Sequence, residues 1–264
     1  MLKKIINLTR IKDWVHILGL PILGFVSVSN EINAIVLLIV VIMSSLLLAF
    51  AYSYDISFDI LRYRKVRSYP TFKTSLFLSL LFLLLSFFLS ITVSYYMLIL
   101  VVLFSIVVLI YLTPSIDLKS MPYIGTFLNA TGFSILFLIG GSLSEITLEI
   151  IYVWTLVLIT MIPFQIVHEI QDMREDRRNK VITTAVKLGK EKTRKLVYVS
   201  LFVLLLWPVM LYYLGYTIYI SLATFIFCSS AAILLYTKKN IRKIHFRYIA
   251  FIYGFMLLLI FLMK

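Results

Sequence analysis

Nine stretches of mostly apolar residues follow one another along the chain, near 14–29, 34–54, 74–92, 94–113, 121–141, 150–168, 196–214, 216–236 and 248–263. A bilayer hydrocarbon core is crossed by about 20 apolar residues of helix, and most of these runs have that length. In hydrocarbon the backbone N–H and C=O groups find partners only within the chain, so each run is expected to be a helix. Charge supports this. Only 14% of the 264 residues are charged and 62% are hydrophobic, against about 25% charged in soluble domains. The expected fold class is an all-α membrane protein: one polytopic domain over residues 1–264. The basic start, Met1 to Lys12, followed by an apolar run, has the outline of a secretory signal. Eight further apolar runs follow it and Val26-Ser27-Val28 is a poor cleavage site, so it is read as the first span. Cys228, the single cysteine, excludes an internal disulfide and any Cys/His metal spacing.

The basic residues sort by connection. The N-terminal segment and the second, fourth, sixth and eighth connections hold every Lys and Arg except Lys264, while the odd-numbered connections carry only Glu31, Glu145 and Glu149. The positive-inside rule then sets the N-terminus in the cytoplasm and the C-terminus outside a cell membrane. The net charge of +13 is accounted for by topology and anionic headgroups, and no nucleic-acid partner is expected.

Two acidic motifs lie at matching places. Span two ends in Asp55-Ile-Ser-Phe-Asp59, and span six ends in Glu169-Ile-Gln-Asp172-Met-Arg-Glu-Asp176. On a helix, residues spaced by three, four and seven share a face, and like charges at i and i+4 repel. Helix propensity gives no reason for such stripes, whereas a divalent cation removes the repulsion. Mg²⁺ is held by one or two carboxylates, waters and substrate phosphates. Two facing stripes would clamp a diphosphate through Mg²⁺, with neighbouring Arg and Lys neutralising the remaining charge. The competing reading is a set of solvated acids paired with nearby bases.

Several stretches together resemble the UbiA-type intramembrane prenyltransferases. Asp172-Met-Arg-Glu-Asp176-Arg-Arg-Asn-Lys180-Val-Ile-Thr183-Thr-Ala-Val-Lys187-Leu-Gly189 is similar to the family pattern D-x-x-x-D-x-x-x-G-x-x-T-x-x-x-x-x-G, without gaps. Tyr111-Leu-Thr-Pro114-Ser-Ile-Asp-Leu118-Lys119-Ser-Met-Pro122 resembles Y-S-x-P-x-x-L-K-x-x-P, and Thr9-Arg10-Ile-Lys12-Asp-Trp14 is weakly like the family's basic-aromatic start. There are departures. Ala51 stands at the Asn of N-x-x-x-D-x-x-x-D, Lys180 at the glycine of the second motif, and Glu169 where many members have Asp.

The resemblance implies two four-helix bundles plus a ninth helix around a central cavity that opens to the bilayer. It implies Mg²⁺-dependent transfer of a prenyl group from a polyprenyl diphosphate, such as geranylgeranyl diphosphate, to a hydrophobic or amphipathic acceptor, a lipid or a quinone precursor. Asp55, Asp59, Asp172 and Asp176 would hold the metal. Arg62, Arg64, Lys65, Arg67, Lys119 and Arg178 are candidate diphosphate contacts. Glu169 is open between deprotonating the acceptor and joining the metal stripe, and Asn129 between a cavity contact and an interhelical bond. Pro21, Pro163 and Pro208 are expected to kink their spans, Gly140-Gly141 to end or pack a helix, and Gly189 to break the chain before span seven. Competing functions are phosphoribosyl transfer to a polyprenyl phosphate, a lipid carrier and a non-catalytic paralogue suggested by Ala51.

Overall fold

The computed structural model describes residues 2–29, 32–63, 70–143, 145–213, 218–237 and 243–263. Among these the secondary structure is helical throughout, and nine helical segments are long and apolar enough to cross a membrane. The chain is a multi-pass membrane protein. Arg64, Lys65 and Arg67 lie outside the described residues, as does the side chain of Arg62.

The first span is not one helix. Helix α1 (Leu2–Thr9), the single turn α2 (Ile11–Trp14), a 3₁₀ turn (Val15–Leu18) and α3 (Gly19–Val28) follow each other. The break falls at Arg10, whose φ is 48°. The Trp14 indole N–H donates to the Thr9 carbonyl and closes the loop so formed. Pro21 is the third residue of α3. In a first turn its missing N–H would be unsatisfied in any case, so the expected kink has no cause there.

Two of the remaining helices overshoot the bilayer. Helix α4 (Ala34–Tyr63) has 30 residues and α8 (Leu148–Arg178) has 31, lengths of about 45 Å against a core of about 30 Å. Their apolar runs end well before the helices do, so both acidic motifs ride on continuous helix. Helix α8 runs through Pro163, and α10 (Lys190–Tyr213) through Pro208. Each proline removes the hydrogen bond to the carbonyl four residues earlier, at Ile159 and Leu204.

The structure divides into two compact units. The first comprises Met1–Leu118 and Ile135–Ile146, with α1 to α4, α5 (Phe72–Val93), α6 (Tyr95–Leu112) and the last part of α7 (Ile124–Gly141). Helix α5 packs along α4 and buries Ser75, Ser79, Ser86 and Ser90 with Leu83. Small side chains let helices approach where lipid offers no hydrophobic drive. The Ser79, Ser86 and Ser90 hydroxyls donate back to carbonyls of their own helix, whereas the buried Ser75 hydroxyl has no hydrogen-bond partner. Leu8 of α1 packs with Ile56 and Ile60 at the far end of α4.

Helices α3 and α7 touch backbone to backbone in this unit. A Cβ added at Gly24 would lie 2.0 Å from the Phe137 carbonyl oxygen, and one added at Gly140 would lie 1.9 Å from that of Pro21. Gly140 thus packs a helix crossing, one of its two expected roles.

The second unit comprises Lys119–Ser134 and Thr147–Lys264. It holds the first part of α7, α8, the short α9 (Thr184–Leu188), α10, α11 (Ile218–Thr237) and α12 (Lys243–Leu262). An aromatic cluster joins three helices: Phe164 of α8 stacks on Phe227 of α11, which stacks on Tyr253 of α12, and Phe246 closes edge-on against Phe164. The Tyr253 hydroxyl shares a 3.0 Å hydrogen bond with Thr224. Helix α8 ends in a Schellman turn: the Val181 N–H donates to the Asp176 carbonyl and the Lys180 N–H to that of Arg177. This turn demands a left-handed residue, and Lys180 supplies it at φ 59°. The glycine of the family pattern has a physical reason at this position, and here a side chain bears the strain. Gly189, at φ 78° and ψ 162°, makes the break between α9 and α10, in a region open essentially only to glycine.

Two stability outcomes follow. Gly24→Ala or Gly140→Ala drives a methyl into a carbonyl and lowers the thermal unfolding midpoint in detergent, by about 1–3 kcal/mol of overpacking. Gly19→Ala, which meets nothing within 4 Å, leaves the midpoint unchanged. Lys180→Gly raises the midpoint, since relief of the left-handed strain is worth about 1 kcal/mol; an unchanged or lower midpoint would contradict the strain argument.

Candidate active site

In the first unit, Asp55 and Asp59 lie one helical turn apart on α4, both half-buried. Their neighbours on the helix are fixed on either side. The Tyr54 hydroxyl shares a 3.0 Å hydrogen bond with Thr113, and Tyr54 and Phe58 continue an aromatic row that runs from Phe50 to Phe72. Thr113 belongs to the Tyr111–Pro122 stretch, so one task of that stretch is to grip α4 beside Asp55. Arg10 enters from the broken first span. Its guanidinium pairs with Asp13 at 2.8 Å, stands 5.5 Å above the Tyr52 ring and lies within electrostatic reach of Asp55. Composition and spacing did not single out Arg10 as a site residue; its only signal was the weak Thr9–Trp14 likeness. Ala51, one turn before Asp55, offers no side-chain oxygen.

In the second unit, Glu169, Asp172 and Asp176 share a face of α8, but their environments differ. Asp172 and Asp176 are half-buried, whereas Glu169 is only 5% exposed. Asp176 lies beyond the apolar run of 150–168. Its carboxyl is pushed up to about 6, first by burial and then by the charge of Asp172, against the opposing pull of Lys119 and a hydrogen bond from Thr183. The Thr183 hydroxyl donates to Asp176 Oδ2 at 3.4 Å and, as the N-cap of α9, accepts from the Val186 N–H. The threonine of the second motif therefore orients a carboxylate and starts a helix at once. Lys119, in the 3₁₀ turn Leu118–Ser120, brings a cation to Asp176.

Glu169 faces inward. Its Oε1 accepts from the Thr126 hydroxyl at 2.6 Å and from the Gln165 amide at 3.5 Å, and its Oε2 accepts from the Ala185 N–H at 3.2 Å. Thr126 also lies 2.6 Å from the Thr184 hydroxyl, which accepts from the Tyr123 N–H at 2.8 Å. Sequence reading missed Thr126, because one threonine in an apolar span carries no signal of its own.

The other candidates are placed less centrally. Arg178 is exposed and meets Glu175 at 3.5 Å, two residues from Asp176 and so turned well away from it. Asn129 is half-buried on α7.

Among the described residues no three His, Cys, Asp or Glu side chains gather as a metal cage. The donors present are pairs of carboxylate oxygens. That set suits a hard cation which draws its remaining ligands from water and phosphate.

Comparison with known proteins gives the context. The UbiA prenyltransferase family profile matches residues 62–259. The match includes the Pro114–Pro122 and Asp172–Gly189 stretches and begins after Asp55 and Asp59. No curated protein matches the chain significantly. Among solved structures, a digeranylgeranylglyceryl phosphate synthase aligns at TM-score 0.76 and 21% identity over 100% of this chain and 99% of that one. A UbiA homologue from Archaeoglobus fulgidus bound to GPP and Mg²⁺ aligns at 0.79 and 16% identity over 97% and 99%. The same homologue bound to Cd²⁺ aligns at 0.81 and 17% over the same shares. These likenesses establish a common fold. With the family profile spanning most of its length, the chain belongs to the UbiA prenyltransferase family, enzymes that transfer prenyl groups.

Proposed function

We propose that this protein catalyses the Mg²⁺-dependent transfer of a prenyl group from a polyprenyl diphosphate to a hydrophobic or amphipathic acceptor, either a lipid or a quinone precursor. The observation that carries the reading is the Asp172–Asp176 pair, two half-buried carboxylates one turn apart, with the Thr183 hydroxyl bonded to the second and the charge of Lys119 within electrostatic reach of it. Family membership supports the reaction class, and the GPP and Mg²⁺ of the Archaeoglobus fulgidus homologue support the donor and the metal. The similarity to a digeranylgeranylglyceryl phosphate synthase supports an amphipathic lipid among the acceptors.

Bound Mg²⁺ would supply charge neutralisation for the departing diphosphate. In the second unit Asp172 and Asp176 would hold Mg²⁺, and in the first unit Asp55 and Asp59 are a second pair suited to the same ion. Lys119 would add a cation for the phosphate oxygens, as Arg62, Arg64, Lys65 and Arg67 would from the connection after α4 and Arg178 from its exposed place beside Glu175. In the transfer the bond between the allylic carbon and the diphosphate oxygen breaks, and the diphosphate leaves with the electron pair. The acceptor forms the new bond to that carbon and gives up a proton. The apolar spans would keep water from the allylic carbon, where hydrolysis would otherwise compete. The sorting of Lys and Arg supports the cytoplasmic face of a cell membrane as the side on which this chemistry would occur.

The test is direct. Purified protein in nanodiscs is incubated with geranylgeranyl diphosphate, Mg²⁺ and a panel of lipid and quinone-precursor acceptors, with polyprenyl phosphate plus phosphoribosyl diphosphate as a separate arm. Prenylated product by mass spectrometry is expected only with Mg²⁺. Asp172→Ala and Asp55→Ala should each lower kcat/KM by about 10³-fold, the loss of several kcal/mol of charge stabilisation. Product in the phosphoribosyl arm alone, or none from folded protein, refutes prenyl transfer. A pH profile gives a second check. Because Asp176 binds its proton near pH 6, protons compete with metal below that value and not above it. The Mg²⁺ concentration for half-maximal rate should therefore stay level from pH 8 to 7 and climb below 6, approaching about tenfold per unit for one competing proton. Asp176→Asn should abolish the climb; a flat profile in the unmodified protein would remove Asp176 from the metal site.

A further inference from the structure

Glu169 stands in the carboxylate stripe yet is sealed from whatever the stripe binds. Both its oxygens are occupied, its exposure is 5%, and its partners come from three separate elements: Gln165 on its own helix, Thr126 on α7 and Ala185 in the first turn of α9. A metal ligand or an acceptor base needs a free lone pair aimed at the substrate. Here three of about four lone-pair sites are directed at fixed donors.

The donors form a chain whose direction is determined. A threonine hydroxyl has one proton to give. Thr126 gives its proton to Glu169, so the proton in the 2.6 Å contact between Thr126 and Thr184 belongs to Thr184. Thr184 in turn accepts from the Tyr123 N–H. The sequence runs Tyr123 N–H to Thr184 to Thr126 to the Glu169 carboxylate, and it ends on a negative charge, where each bond strengthens the next. This chain fastens residues 123–126 and 184–185 to one point of α8. Adjacent to it are the two groups that favour the Asp176 carboxylate, against the charges of Asp172 and Glu169: Thr183 precedes Thr184, and Lys119 lies four residues before Tyr123. Lys187 closes over the Tyr123 ring at 5.4 Å.

We infer that Glu169 is a positioning residue whose clasp with Thr126 and Thr184 sets the placement of Thr183 and Lys119 about Asp176, and thereby tunes the carboxylate pair for a metal-bound diphosphate. This rests on the prenyl-transfer reading above. It departs from both roles the sequence left open for Glu169, since it touches neither metal nor acceptor.

The experiment compares Thr126→Val, Glu169→Gln, their combination and Thr126→Ser in nanodiscs. Mn²⁺ binding in the presence of inorganic diphosphate is followed by electron paramagnetic resonance, beside the thermal midpoint. Groups that orient a metal ligand without touching the metal change affinity by about 10–100-fold. Thr126→Val and Glu169→Gln should each weaken Mn²⁺ binding within that range, and the double variant should be no weaker than the worse single one, because both break the same clasp. Thr126→Ser keeps the hydroxyl and should restore binding. If Glu169→Gln loses binding while Thr126→Val keeps it, Glu169 acts on the metal itself and the inference is wrong. If both variants lower only the thermal midpoint, the clasp serves folding alone and the inference is equally wrong. If the unmodified protein does not bind Mn²⁺ with diphosphate, the prenyl-transfer reading fails and the inference fails with it, an outcome distinct from the other two.

Discussion

Lipid offers a peptide group no hydrogen-bond partner, and the architecture depends on that fact. Every crossing must be helical, and polar chemistry is driven to helix ends. This chain meets the constraint by prolonging two helices. Helices α4 and α8 carry on past their apolar runs, so Asp55, Asp59, Asp172 and Asp176 sit on helix rather than on loops. A helix fixes the spacing of two carboxylates to one turn without further support. The same constraint explains Ser79, Ser86 and Ser90 buried along α5, whose hydroxyls bond to their own helix while their small size admits α4.

The corner after α8 shows how much the site needs beyond that spacing. The Schellman turn stops the helix just beyond Asp176 and sends the chain back along it, so that seven residues later Thr183 reaches the same carboxylate. Glu169 then anchors the returning segment. The pattern D-x-x-x-D-x-x-x-G-x-x-T therefore reads as geometry: two carboxylates one turn apart, a left-handed stop, and a hydroxyl delivered back to the second carboxylate. Lys180 shows that the stop matters more than the glycine, because the turn forms with a side chain present.

Much of this was legible from the chain alone. Hydropathy located nine spans, and the acidic motifs were found by their spacing and their place at span ends. Other features were hidden for a physical reason: they join residues far apart in sequence through ordinary side chains. Thr126 and Glu169 are 43 residues apart, and nothing local marks either as the other's partner. The crossing of Gly24 and Gly140 is of the same kind. The break in the first span depends on a left-handed Arg10, a backbone state that hydropathy does not encode. Closeness in sequence also differs from closeness in space: Arg178 is two residues from Asp176, yet helix periodicity turns it to solvent beside Glu175.

The two carboxylate pairs also differ in what offsets their mutual repulsion. In the second unit, Thr183 and Lys119 act on Asp176, and still burial and Asp172 leave its carboxyl at about 6. In the first unit, Arg10, bound to Asp13 and set over Tyr52, is one cation within electrostatic reach of Asp55. Neither arrangement is what stability alone would select, since half-buried like charges one turn apart weaken a helix and a solvent-facing residue at the same position would not. Residual electrostatic strain of this sort is characteristic of groups whose true counter-charge arrives with a ligand. Under the proposed function that ligand would be a prenyl donor. The oxygen-only character of both pairs suits a hard divalent cation as the counter-charge.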